Sequence, residues 1–285
     1  MSVRDRLGQA IFHRVAGPDG ARHRDRIHGR PGPRWFAPDS AIVRVHGDAS
    51  MFVGGIRALL LQSLHPAAMR AVSEHSGYRG DMWGRLARTS RFLAVTTFGT
   101  AEDAQQAVDA VRAIHDRISG TMPDGSSYAA SDPHLLRWVH VAEVDRLPAR
   151  PPALRRRASR RRRPRRVRRP DRRGRPPPRR RRPAGHRGGA WPPSSRATGP
   201  SLRGTPEARE AVTYVLLRPP LPLLARPAYG VLAAAAVGLM PTWTRLPLRL
   251  PWLPVTERTV VRVLGGAAVD TVRWAMTPPP ARAAT

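Results

Sequence analysis

The sequence predicts an all-α protein, a single helical domain interrupted by a disordered Arg/Pro-rich segment. Three observations predict it. Apolar residues recur at helical spacing through residues 48–145 and again through 204–285. Those stretches are punctuated by helix caps and prolines, and none reads as a convincing β-hairpin. Between them, residues 146–203 carry 23 Arg, 12 Pro, one acid (Asp171) and only five large apolar residues, Leu147, Leu154, Val167, Trp191 and Leu202. So little apolar surface cannot offset the entropy of ordering, roughly 1–2 kcal/mol per residue for the backbone alone. The segment is therefore expected to be disordered and to lie outside the folded core.

The elements follow in chain order. Residues 1–47, rich in Gly, Pro, Arg and His from residue 18 onward, read as an irregular lead-in. Asp48 is placed to cap a helix running to Leu64 and stopped by Pro66, with Phe52, Ile56, Leu59, Leu60 and Leu64 on one face. A short second helix is expected over residues 67–73. Asp81 caps a third, residues 82 to about 97, ended by Gly99, with Met82, Leu86, Leu93 and Thr97 as its apolar stripe and Thr89 beside them. Thr100 and Asp103 form a capping-box pattern that opens a fourth helix, expected to reach Ser119. Its inward face is Ala104, Val108, Val111, His115 and Ile118, which points His115 into the core. Asp132–Pro133 starts a fifth helix, with Leu136, His140 and Val144 on one face. After residue 203, Thr205–Pro206 opens a helix through Leu217. A Pro-rich turn, an apolar helix around residues 229–240 and a last helix, capped by Thr256 and reaching about Met276, complete the pattern.

The 285 residues suffice for one large domain or two small ones. The net charge of +30 is uneven, because outside residues 146–203 there are 27 Arg against 19 acids. The absence of Cys excludes disulfides, thiolate metal sites and a Cys nucleophile. All 50 basic residues are Arg, and Ala, Gly and Pro are abundant, which is the signature of a GC-rich gene. Residues 1–17 lack the continuous apolar run of a signal peptide. The most apolar stretch, residues 229–240, is shorter than the roughly 20 residues a membrane-spanning helix needs. The expected location is cytoplasmic.

Two readings of residues 146–203 stand side by side. One is a basic arm that holds nucleic acid non-specifically through phosphates, with steep salt dependence; it would make the chain a helical binding protein. The runs Arg160–Arg163 and Arg179–Arg182 fit it, although Trp191 is the one aromatic available for base stacking. The other is a stretch of GC-rich coding sequence read out of register and then restored. Leu147-Pro148-Ala149-Arg150-Pro151 can be encoded so that a one-base shift reads Phe-Leu-Arg-Ala, a continuation of the fifth helix.

Candidate chemistry is sparse. His115 sits on an apolar helix face, where a core histidine and a ligand are both open readings. Arg85 and Thr89 lie one turn apart, so a cation adjoins a hydroxyl. His65 and His75 flank the short second helix as caps or core hydrogen-bonders. No phosphate-cradling Gly-rich loop, H-E-x-x-H zinc motif or G-x-S-x-G elbow occurs.

Several runs together resemble the latex-clearing proteins (rubber oxygenases) and MpaB-type oxygenases. They are G-G-I-R-A-L-L-L-Q-S-L-H-P over residues 54–66, H-S-G-Y-R-G-D over 75–81, G-R-L-A-R-T over 84–89, Phe98-Gly99-Thr100, the His115 helix, Asp132-Pro133, L-R-W-V-H over 136–140 and Leu217-Arg218-Pro219-Pro220. The resemblance covers about residues 45–145 and returns at 202–250. It implies an all-helical fold holding haem b, with His115 as the iron ligand and Arg85 and Thr89 on the opposite, distal side. Arg88 stands where the rubber oxygenases carry a Lys next to the distal Thr; it keeps the charge and cannot titrate. Glu74 is the acid nearest the place of that family's distal glutamate. The implied partners are O2 and an apolar small molecule of alkene or isoprenoid type.

Overall fold

The computed structural model describes residues 2–77, 79–144 and 202–277, which belong to one compact unit. The all-α expectation holds. In chain order the elements are α1 (Val3–Ala16), α2 (Gly20–Gly29), α3 (Ala41–His46), α4 (Met51–Gln62), α5 (Pro66–His75), α6 (Met82–Phe98), α7 (Ala101–His115), β1 (Ser119–Thr121), β2 (Ser127–Ala129) and α8 (Pro133–Val144). They continue with α9 (Pro206–Leu217), a 3-10 turn (Leu223–Ala225), α10 (Arg226–Gly238), α11 (Thr242–Arg245), α12 (Pro254–Thr256), a π-helical turn (Glu257–Val261) and α13 (Arg262–Met276).

The core lies among α4, α5, α8, α9 and α10. Val53, Ile56, Leu60, Leu61 and Leu64 of α4 and its C-terminal turn meet Met69 of α5, Ala142 of α8, Ala208 and Val212 of α9, and Ala236, Val237 and Met240 around α10. Residues on both sides of 145–201 therefore share one apolar cluster. Leu202 packs on that cluster, and the Arg203 amide donates to the Leu64 carbonyl at 2.9 Å. The last two residues of the stretch expected to lie outside the core thus belong to the fold. The rest of that expectation, disorder across residues 146–201, falls outside the described residues.

A second group of helices is built around α6, which packs against α1, α2, α3 and α7. The first 47 residues hold three helices, α1 to α3, rather than an irregular lead-in. Ser2 and Asp5 form a reciprocal capping box at the start of α1, which the Gly-, Arg- and His-rich composition masked. Helix α13 touches both groups, packing on α1 and α10. At Gly8 a β-carbon would lie 2.4 Å from the Ala275 carbonyl oxygen, so α1 and α13 approach at a distance only glycine permits.

The structure revises several local expectations. Asp48 does not cap α4. Its carboxylate accepts from the Ser50 amide at 2.9 Å and from Arg273 at 2.9 and 3.0 Å, tying the start of α4 to α13. On α4 the buried face includes Val53 and Leu61, while Leu59 is exposed. On α8 the inward residues are Leu135 and Ala142; Leu136 and His140 face solvent, because the apolar stripe is rotated by one position. Helix α7 stops at His115 instead of Ser119, and the chain turns into a small antiparallel hairpin that pairs Ser119 with Ala129, Gly120 with Tyr128 and Thr121 with Ser127. Three-residue strands are too short to leave an alternating pattern in the sequence. Thr256 is no cap, since α12, the π-helical turn and α13 follow one another without a break from Pro254 to Met276. The expected caps Asp81, Thr100 and Thr205 do accept hydrogen bonds from the first turns of α6, α7 and α9.

Candidate functional site

Helices α6 and α7 are joined by only Gly99 and Thr100 and pack on one another. The tight joint is fixed by Thr100, whose hydroxyl oxygen accepts from the Asp103 amide at 3.2 Å and donates to its carboxylate at 2.9 Å. His115 is the last residue of α7, and Arg85 lies in the first turn of α6.

His115 is half-buried rather than in the core, and so are Val108 and Val111, which precede it by two turns and one turn on the same stripe. Of the α7 side chains only Ala104 is fully buried. The imidazole nitrogens of His115 make no hydrogen bond with the described residues, while its backbone carbonyl accepts from Ile118 at 3.0 Å. A half-buried imidazole with no internal partner, flanked by valines along its helix, fits the requirement for an axial haem ligand: a nitrogen donor with apolar surroundings. Among the described residues no cluster of three or more His, Asp or Glu side chains could hold a bare metal ion.

Arg85 is half-buried, and its Nη1 donates to the Ser76 hydroxyl at 2.9 Å, joining the start of α6 to the end of α5. Thr89 adjoins Arg85 as the spacing predicts, with its hydroxyl donating to the Arg85 carbonyl at 3.1 Å, and it is exposed. Arg88 is exposed and pairs with Asp81 at 3.4 Å. Its guanidinium therefore stands over the N-cap carboxylate of its own helix.

Around Ser76 lies a polar cluster whose members the sequence touched singly, at Glu74, His75, Ser76, Arg85 and the Tyr128 loop, without showing that they meet. Arg70 holds the Glu74 carboxylate at 2.6 Å. The buried Tyr128 hydroxyl donates to Glu74 and lies 3.4 Å from His75 Nε2. Burial, reinforced by the bond to the Glu74 carboxylate, pushes the Tyr128 phenol up to about 12. The one signal for Tyr128 in the sequence was a lone aromatic residue in an otherwise polar loop. His65 is the N-cap of α5, accepting from the Ala68 amide through Nδ1 at 3.4 Å, and burial holds its imidazole below the usual range. That assigns His65 the capping alternative.

The class defined by these features is a helical domain that presents a half-buried, unpartnered imidazole at the end of α7. Residues 43–274 match the family described as ER-bound oxygenase mpaB/B'/Rubber oxygenase, catalytic domain, and the chain belongs to that family of oxygenases. No curated protein and no solved structure matches it. Neither the family match nor the described residues support a nucleic-acid partner. No helix among the described residues is long and apolar enough to cross a membrane.

Proposed function

We propose that this protein is a haem-dependent oxygenase acting on an apolar substrate of alkene or isoprenoid type. The observation that carries the reading is the half-buried, unpartnered His115 imidazole at the end of α7, within a chain of the mpaB/rubber oxygenase family. His115 would hold the iron, and the valines along its helix would keep water from the bond. Haem supplies the activation of O2. The protein supplies the ligand, the apolar surroundings and the polar groups.

Arg85 and Thr89 would be the polar groups near the bound haem, as the family resemblance implies. Arg85 offers a permanent cation, oriented by its bond to Ser76. Thr89 offers a hydroxyl one turn further along α6. Its present bond to the Arg85 carbonyl leaves the oxygen able to accept a hydrogen bond from a ligand. Arg88, now paired with Asp81, would supply charge for an acidic group of the bound cofactor.

The test is direct. Purified full-length protein titrated with haemin should develop a Soret band with a saturable stoichiometry near one. His115→Ala should weaken or shift that band, while a variant of exposed His140 should leave it unchanged. A Soret band that His115→Ala leaves intact removes His115 from the ligand role. Oxygen uptake by the haem-loaded protein with a long isoprenoid such as squalene then tests the substrate class.

A further inference from the structure

Apart from Ser76, which orients Arg85, the cluster at the end of α5 has no part in the roles assigned above, yet it is tied both to Arg85 and to the hairpin that follows His115. Strand β1 begins four residues after His115, and the β1–β2 hairpin folds the chain back so that Tyr128 stands opposite Gly120. A β-carbon at position 120 would lie 2.6 Å from the Tyr128 hydroxyl. The phenol therefore crosses directly over the glycine and leaves the hairpin. It reaches the end of α5, where it donates to the Glu74 carboxylate and lies 3.4 Å from His75 Nε2. Two residues on, Ser76 accepts the Arg85 guanidinium at 2.9 Å and donates to the Val72 carbonyl at 2.6 Å. Arg70 fixes Glu74 from the other side at 2.6 Å.

We propose that Tyr128 is a positioning residue for the oxygenase site, its hydroxyl fastening the hairpin that leaves His115 to the end of α5 that holds Arg85. This inference rests on the haem reading above. Without the hydroxyl, the hairpin keeps its short strand pairing and the packing of β2 on α5 and loses its polar anchor. The segment carrying His115 then loses its one charge-assisted tie to α5, a stronger class of bond than a neutral one. The buried ring still fills its space, so the consequence falls on the seat of His115 rather than on the core.

Tyr128→Phe tests this, because it removes only the hydroxyl. The full chain is reconstituted with haem, and the iron–imidazole stretch of the ferrous form is read by resonance Raman scattering. That vibration reports the orientation of the ligating histidine and is insensitive to overall stability. The expected result is retained helicity and a retained Soret band, with a shifted and broadened iron–imidazole band. Glu74→Gln, which keeps the shape of the acceptor and removes its charge, should shift the same band, and it serves if Tyr128→Phe fails to fold. Unchanged bands in the folded variants overturn the proposal and leave Tyr128 as a packing residue. If the unmodified protein shows no Soret band with haemin, the haem reading itself fails and the proposal falls with it. A wild-type band that vanishes with His115→Ala, alongside an unmoved Tyr128→Phe band, overturns the proposal alone.

Discussion

Replacing Asp48 by Asn should destabilise the fold by about 1 kcal/mol at neutral pH and remove a specific part of its acid sensitivity. Asp48 and Arg273 form a two-point fork across 225 residues of chain, with N–O distances of 2.9 and 3.0 Å. The Arg273 hydrogen bonds hold the carboxyl at about 2, against an ordinary value of 3.8. At about 1.4 kcal/mol per unit, that difference sets an upper limit of about 2.5 kcal/mol. The two side chains are 34% and 40% exposed, so solvent screening reduces the contribution to about 1 kcal/mol. The folded-state value lies below the unfolded one. The stabilisation is therefore fully present above about pH 4 and is lost as the pH falls through about 2. Thermal melts of both proteins at pH 7 should differ by roughly 2–4 °C. The gap should narrow as melts are repeated from pH 4 downward, because Asn cannot titrate. Equal melting temperatures at pH 7, or a gap that widens in acid, would refute the reasoning.

Two other perturbations bear on the fold and the gene. Glu257→Gln leaves the Arg245 guanidinium buried without its counter-charge; the pair sits at 2.5 Å with side-chain exposures of 4% and 16%. Denaturant titration should show a loss of about 3–5 kcal/mol, and replacing both residues with apolar ones should recover much of it. For residues 146–203 the expected result is a gene whose frame slips near codon 146 and is restored near codon 201. An Arg codon CGN followed by C or G reads, one base on, as Val, Ala, Asp, Glu or Gly, so the shifted frame would exchange cations for acids and small apolar residues. Resequencing codons 140–206 decides it, and an intact frame shared by close relatives would sink the idea.

The helices were legible where chemistry marks their ends. Asp81, Thr100 and Thr205 each carry a short polar side chain just before an apolar repeat, and each accepts from the first turn as the spacing requires. Faces were less legible than ends. On α8 the choice between Leu135 and Leu136 as the inward residue depends on which neighbours pack there, and adjacent leucines give periodicity nothing to decide with. The Asp48–Arg273 fork and the bond from Tyr128 to Glu74 join residues far apart in sequence, and no local pattern announces either. The Arg85–Thr89 pairing was readable from one turn of helix. The depth of His115 was not, because α7 ends at that residue and the chain leaves as a strand.

The core shared by α4 and α10 has a consequence for how the chain is made. The Arg57 side chain of α4 donates to the Leu239 carbonyl 182 residues later, and the leucines of α4 pack on Val237 and Met240. At a synthesis rate of roughly 5–20 residues per second, α4 waits about ten to forty seconds for that partner. Until α9 emerges late in this interval, Leu60, Leu61 and Leu64 have only α5 and α8 of their core partners to cover them, a period in which nascent chains are prone to associate. The length of residues 145–201 adds little to the equilibrium cost, since each doubling of a closed loop costs only about 0.6 kcal/mol. It adds directly to the delay. Slow translation across that arginine-rich stretch would lengthen the exposure of α4, so yield of folded protein should depend more on the speed and chaperoning of synthesis than on the stability of the finished domain.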